Sequence, residues 1–386
     1  VIFDNRIYDH PPKAVSTSLG LEHEEVIEVR IIKILSSAST AMNLTLAFAL
    51  AKRFGYEGVE ILPHRFVTSE GVRALEEKWD IKATSVHLPW WTWRGAWYWL
   101  GWRSTARTFR QEWRGVGGNS ITGYMTATLV ALLTDLFIHK IQTLTWLLIM
   151  GPLGDGPLDN PGLKLARELD LPVVVHPGPI LELVQPPLDG WPPDPQEREG
   201  WKKWIKGQLA IFKEIVEVRI ENNDAPFHPD SNSGGGMDQA LFCLHMLQKI
   251  AGHPNAKLVF DGEHLAKEIG FWGLMSLESK LLPILRKLPR GSVVEAHICG
   301  YDPGEGGVKK GGHLPLSAGS FPIRHNLLAL IQTKASPEPF EVTVETPPGI
   351  GDFFKLLFLG ERAGKAYAGL LAQHASNETE LDRIAS

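Results

Sequence analysis

Short apolar, β-branched runs recur along the chain, alternating with longer stretches whose leucines and alanines repeat at helical spacing. The first run, VIEVRIIKI over 27–35, is followed by such a stretch from Ala41 to Phe54, which predicts a strand and then a helix. GYEGVEILPH reads as turn plus strand with Gly55 as the helix stop, and Thr68 to Lys78 as a helix with a Thr or Ser cap. IKATSVHLP is the third strand. Further on come a helix over Tyr124 to Lys140, an apolar run Leu144 to Met150 and a helix around Leu163 to Leu169. LPVVVHPGP follows, then a helix from Glu197 to Lys213 that leads into IVEVRIENN, and after it KLVFDGEH, SVVEAHIC and FEVTVETP. That makes nine strand candidates where a closed barrel of strands and helices uses eight. Either 27–35 or 144–150 is surplus.

Several of these runs end in a potential metal ligand. Glu221, Asp261 with His264, His297 and Glu345 close four of them, His313 closes KKGGHLPL, and His87 and His176 close two earlier ones. Glu221 and Asp261 are 40 residues apart, Asp261 and His297 36, His297 and Glu345 48, and His176 and Glu221 45. Each interval holds a strand, a helix and two loops. The expected fold is therefore an α/β (β/α)8 TIM barrel, in which groups at the carboxyl ends of all strands converge on one face. The expected organisation is an N-terminal extension over 1–26, a barrel over 27–360 with an insertion at 90–120, and a C-terminal tail over 361–386.

The insertion after the third strand breaks the rhythm. Seven of the 13 tryptophans lie between Trp90 and Trp113, interleaved with arginines, and neither helix nor strand periodicity organises them. They read as a long loop or small subdomain at the active-site face. Aromatic faces such as Trp90, Trp91 and Trp93 are suited to stack on a sugar, and equally to pack internally or at an interface in a homo-oligomer. NDAPFHPDSNSGGGMD beyond Glu221 and GYDPGEGGVKKGG beyond His297 are Gly-rich loops read as lids that order on substrate.

Bulk properties narrow the classes. The 386 residues, 44% hydrophobic and 22% charged, are those of an ordinary globular protein, and a net charge of −5 gives no overall basic field for a nucleic acid. Two distant cysteines, Cys243 and Cys299, exclude a disulfide framework and a Cys-based zinc site. With no secretory signal pattern in VIFDNRIYDHPPK, a cytoplasmic location is expected. Asp135, His139 and Lys140 interrupt the apolar region from Leu129 to Met150, which reads as buried helix plus strand and not as a membrane span. The Gly runs GVGGN and SGGGM lack the strand-turn-helix context of a nucleotide loop.

A carboxylate at one strand end is most often a helix cap or loop anchor, and a lone histidine a core residue. Their joint occurrence in barrel order is what points to a metal site. Glu221, Asp261, His297 and Glu345 make a mixed oxygen and nitrogen set suited to Mn²⁺ or Zn²⁺, and also to Co²⁺ or Mg²⁺.

The series HLPW, VVVHPGP, IENN, FDGEH, AHIC, GGHLPLSAG and VETP resembles the xylose-isomerase-like barrel superfamily, which holds sugar and sugar-phosphate isomerases and epimerases together with endonuclease IV. It covers about two thirds of the chain, from His87 to Glu345. For the epimerase branch the resemblance implies one ion on Glu221, Asp261, His297 and Glu345, with Glu221 and Glu345 removing and returning a proton on either side of the substrate carbon. His264 would face the substrate or orient a ligand. For the endonuclease branch it implies a three-zinc cluster that adds His87, His176, His264 and His313. That family places an Asp two residues before the histidine matching His313, where this chain has Gly311; Asp302 is the nearest sequence substitute. The leading expectation is thus a metal-dependent isomerase or epimerase of a small sugar. A zinc-dependent endonuclease acting on abasic DNA is the alternative, followed by another metal-dependent lyase or hydrolase and by a non-enzymatic binding protein.

Overall fold

The computed structural model describes residues 30–89, 92, 125, 128–129, 133, 150–153, 160–184, 194–222, 236–269, 280–302, 311–316, 323–337, 339–348 and 350–385. Ten strands lie among them: β1 (Ile31–Ser36), β2 (Gly58–Ile61), β3 (Lys82–His87), β4 (Val173–Val175), β5 (Val218–Glu221), β6 (Ala256–Asp261), β7 (Val293–Ile298), β8 (Gly300–Asp302), β9 (Gly311–Leu314) and β10 (Phe340–Val344). All except β8 and β9 pair in parallel, each with its neighbours in sequence, and β10 returns to β1 in the register Ile31 to Phe340 through Leu35 to Val344. The result is a closed eight-stranded TIM barrel.

The run at 144–150 lies outside the described residues apart from Met150, and the barrel closes without it. β3 pairs directly with β4 through Val86 to Val173 and His87 to Val174, leaving no stave between them, whereas the run at 27–35 supplies β1 from Ile31 onward. KKGGHLPL is not a stave either: β9 pairs antiparallel with β8 in the connection leaving β7. Of the Trp-rich insertion only Thr92 is described; it bridges to Leu153 and donates a hydrogen bond to Glu182. The extension at 1–26 and the two Gly-rich loops fall outside the described residues apart from their edges. No helix among the described residues is long and apolar enough to cross a membrane.

Eleven α-helices are described. They are α1 (Leu44–Arg53), α2 (Ser69–Trp79), α3 (Pro161–Leu169), α4 (Pro177–Val184), α5 (Pro195–Gln208), α6 (Met237–His245), α7 (Gly262–Ile269), α8 (Leu282–Leu285), α9 (Ile323–Gln332), α10 (Ile350–Leu359) and α11 (Lys365–Ala385). Side-chain caps start several of them where the sequence changes character. Asn43 accepts from the Leu46 N–H, Thr68 from Gly71 and Asn160 from Leu163.

Alternation along the staves decides what faces the barrel axis. In β5 Val218 and Ile220 join the main hydrophobic cluster while Arg219 and Glu221 do not; β7 gives Ala296 and Ile298 against Glu295 and His297. β10 repeats the pattern, with Val342 and Val344 against Glu341, Thr343 and, just beyond the strand, Glu345. Successive strand residues point to opposite sides, so the apolar set packs under the helices and the polar set fills the barrel interior. Arg219 anchors the lower layer: its guanidinium donates to Glu217 at 2.7 Å, to Glu295 at 2.9 Å and to Glu341.

The segment at 361–386, drawn from the sequence as a tail, contains α11, which packs on the barrel with Ala366, Leu370, Leu381 and Ile384 in the core cluster. Its polar side reaches the end of β10. The Gln373 side-chain amide donates to the Thr346 carbonyl at 2.9 Å and to its hydroxyl, and Asn377 accepts from the Leu316 N–H at 3.0 Å.

Among the described residues His374, fully buried, has only the Tyr56 hydroxyl, 3.4 Å from Nδ1, as a hydrogen-bond partner. Burial lowers its pKa from 6.5 to about 4. The unfolded chain therefore takes up the proton first, and stability falls as pH drops from about 6.5 towards 4. A shift of that size is worth roughly 2–3 kcal/mol at pH 4.5. Urea unfolding at pH 7 and pH 4.5 should show wild type losing about that much more than His374→Gln; equal losses would show that His374 does not titrate on unfolding.

Candidate metal centre

The stave ends bring their polar groups to one place. Glu221, at the end of β5 and fully buried, is the hub. Its Oε2 accepts from His87 Nε2 at 2.8 Å and lies 3.4 Å from His176 Nε2. Its Oε1 lies 3.3 Å from His297 Nδ1 and 3.6 Å from His264 Nε2. Glu345 approaches the same His297 nitrogen, Oε2 to Nδ1 at 3.5 Å. The rings form a chain: His87 to His176 at 5.2 Å, His176 to His264 at 5.7 Å and His264 to His313 at 5.9 Å between centroids.

Asp261 closes the set from the end of β6. The D-x-x-H spacing is a helix cap as well as a ligand pattern, because Asp261 Oδ1 accepts the His264 N–H at 2.8 Å at the start of α7. Asn222, one residue past β5, clamps Asp261 from the side. Its carbonyl oxygen accepts the Asp261 N–H at 2.7 Å and its amide donates to the Asp261 carbonyl at 2.8 Å. Two neighbouring stave ends are thereby locked together.

The four expected ligands converge. One ligand atom each from Glu221, Asp261, His297 and Glu345 lies within 4.8 Å of the other three, as donors about 2 Å from a shared ion would. Two of those residues carry buried atoms without hydrogen-bond partners, Glu221 Oε1 and His297 Nδ1, and they face one another. The two are paired by charge, and among the described residues neither atom is tied up in a hydrogen bond. An oxygen-rich set with one imidazole fits Mn²⁺ or Zn²⁺, so the residues present suit the group.

Further groups of ligating type adjoin this one: His87 with Glu221 and His297, His176 with Glu221 and His264, and, through His264, Glu263 with His264 and His313. His313 sits on β9 in a left-handed conformation, φ 55°, and is partly exposed. Its Nε2 lies 3.9 Å from Glu263 Oε2, which is itself 3.5 Å from His264 Nδ1. All eight sequence-predicted site residues are therefore in one connected cluster, with His313 brought in by the β8–β9 hairpin instead of a stave.

The charges are arranged to match. Burial opposes ionisation of Glu221, but the charge of His297 overrides it and holds this carboxyl well below its usual range. Glu345, also buried, is held at about 2 by its contact with His297 and the charge of His313. Burial pushes the Asp261 carboxyl up, helped by the charges of Glu221 and Glu263. Burial alone would lower His87; the hydrogen bond to Glu221 and the charges of Glu60, Glu221 and Glu345 raise it instead to about 9. It is thus an imidazolium, donating through Nε2 to Glu221 and through Nδ1 to the Leu88 carbonyl at 3.0 Å. His176 is the opposite case: burial and the neighbouring imidazoles bring it to about 3, so it stays neutral.

Four participants were not singled out from the sequence. Glu60 of β2 and Glu295 of β7 contact His297 Nε2 from below, at 3.4 and 3.2 Å. Asn222 sits inside IENN and Glu263 inside DGEH. The period-two pattern V-E-A-H, which puts Glu295 on the same side as His297, was the available signal.

No protein-family model matches the chain, and no curated protein matches it. Among solved structures, the IOLI protein with a bound zinc atom is 12% identical with a TM-score of 0.47, over 92% of this chain and 98% of that one. The 3-keto-D-glucoside 4-epimerase YcjR from E. coli is 13% identical with a TM-score of 0.43, over 90% and 100%. A xylose isomerase-like TIM barrel/4-hydroxyphenylpyruvate dioxygenase fusion protein is 12% identical with a TM-score of 0.45 over 92% of this chain, which spans only 44% of the fusion. These likenesses add nothing to the barrel that the strand pairing already establishes.

Proposed function

We propose that this barrel is a divalent-metal-dependent isomerase or epimerase of a sugar or sugar derivative. Glu221, Asp261, His297 and Glu345 are the proposed ligands, and Glu221 and Glu345 the proton-transfer pair. The supporting observation is that two buried carboxylates from different staves meet one imidazole nitrogen, at 3.3 and 3.5 Å from His297 Nδ1. Bound Mn²⁺ or Zn²⁺ would supply Lewis acidity towards neighbouring sugar oxygens.

Both carboxyls are held ionised at neutral pH, so either can act as the base. The carboxylate beside the reacting C–H takes its proton while the C–H electron pair moves into the adjoining carbonyl. Return of that proton to the former carbonyl carbon, with the hydroxyl proton of the first carbon passing to the former carbonyl oxygen, completes an isomerisation; delivery to the opposite side of the first carbon from the other carboxyl, which takes its proton from solvent while the first carboxyl releases its own, completes an inversion.

The test is exchange of substrate hydrogen with solvent. Incubation of the Mn²⁺-loaded protein in D₂O with a panel of ketopentoses, ketohexoses and their phosphates should place deuterium on a carbon next to the carbonyl of at least one. No incorporation across the panel would overturn the reading.

One observation favours a second reading, a zinc-dependent endonuclease acting on abasic DNA. The ligand groups continue past the first four, and Glu263 supplies a carboxylate beside His264 and His313 where Gly311 supplies none. In that reading zinc-dependent, salt-sensitive cleavage of abasic duplex replaces deuterium incorporation.

A further inference from the structure

His297 meets carboxylates at both ring nitrogens. Nδ1 faces Glu221 and Glu345. Nε2 points into the barrel, 3.2 Å from Glu295 Oε1 and 3.4 Å from Glu60 Oε2. Histidine, Glu60 and Glu295 are each at most 1% exposed. Taken alone, the trio of Glu60, Glu295 and His297 has the spacing of a metal site. The layer below argues otherwise, because a cation is already there: Arg219 donates to Glu295 Oε2 at 2.9 Å, and the Thr343 hydroxyl donates to Oε1. The Ser85 hydroxyl, 3.4 Å away, donates to Glu60 Oε2. A second dication would have to displace a buried guanidinium that three carboxylates hold.

We propose that Glu295 and Glu60 are positioning residues: they accept the Nε2–H of His297 from inside the barrel and so commit its Nδ1 to the side where Glu221, Asp261 and Glu345 converge. The chain Arg219 to Glu295 to His297 runs along inward-facing positions of β5 and β7, so the imidazole is aimed by the pleat of the barrel itself. The hydrogen bond on one ring nitrogen sets which nitrogen is left to bind. This rests on the metal-binding part of the proposed function and is independent of which reaction the centre performs.

The test pairs Glu295→Gln with Glu341→Gln. Both remove one carboxylate from Arg219, but among the described residues Glu341 pairs with Arg219 and not with His297, so the second variant reproduces the structural loss without the aiming. In Glu295→Gln the amide turns its oxygen to Arg219 and its NH₂ towards His297, an arrangement that takes the acceptor away from Nε2–H. Proton–nitrogen correlation spectra of histidine-labelled, metal-free protein should show a hydrogen-bonded Nε2–H on His297 in wild type and Glu341→Gln. That signal should shift or vanish in Glu295→Gln. Zinc affinity should fall about 10–100-fold in Glu295→Gln and stay within about threefold in Glu341→Gln. Glu60→Gln serves if Glu295→Gln does not fold, with the same expected signs. An unchanged Nε2–H signal in Glu295→Gln, or equal loss of zinc affinity in both variants, would overturn the proposal. If wild type binds no zinc, the metal reading is what fails, and the spectra of the metal-free protein still decide the positioning role.

Discussion

Glu221→Gln should abolish tight binding of Zn²⁺ or Mn²⁺ and destabilise the metal-free protein by roughly 3–5 kcal/mol, the usual cost of breaking a buried ion pair by removing one partner. The reason is the hub position. Glu221 faces His87, His176, His264 and His297 from a fully buried site. Two of these, His87 and His297, are raised above the ordinary imidazole range; burial works against their charge, and Glu221 is a principal group restoring it. A neutral amide leaves both imidazoles to shed protons or remain charged without their main partner. Equilibrium dialysis against zinc and urea melts of the chelator-treated protein measure the two effects separately. Wild-type stability with zinc affinity intact would remove Glu221 from the centre.

Glu345→Gln should behave differently. The amide is isosteric, and Glu345 contacts His297 at 3.5 Å from the edge of the cluster, 7% exposed. Under the proposed function the loss of its proton-transfer capacity costs about 10²–10⁴-fold in turnover. The metal-free protein should lose less stability than in Glu221→Gln, because His297 keeps Glu221, Glu295 and Glu60. A fully active Glu345→Gln would take Glu345 out of the catalytic pair and leave it, at most, a ligand.

Much of this arrangement is legible in the sequence, for a reason specific to parallel barrels. Their staves are buried on both sides and join through helices, so each appears as a compact β-branched run, and all carboxyl ends share one face. His87, His176, Glu221, Asp261, His297 and Glu345 are each at or just past such an end. What lay inside the staves was harder to read. Arg219 and Glu295 are mid-strand charges whose partners, 76 residues apart, meet only after closure. Glu263 opens α7, where an acidic residue is ordinary for helix-dipole reasons and signals no site. His313 shows the limit of local pattern: from sequence alone KKGGHLPL looks like the other ligand-ending runs, while antiparallel pairing with β8 keeps it out of the barrel wall. Likewise the surplus run at 144–150 competed with 27–35 on hydrophobicity alone, and only the direct β3–β4 pairing decides between them.

The central claim is that the convergence of Glu221, Asp261, His297 and Glu345 is a metal centre. Its most direct test is calorimetric titration of chelator-treated wild-type protein with Zn²⁺ or Mn²⁺, followed by thermal melting at saturation. Saturable binding that disappears in Glu221→Gln, with stabilisation of about 2.7 kcal/mol at a hundredfold excess over Kd, is the predicted result. No saturable binding of either ion, and a melting temperature unmoved by both, would contradict it.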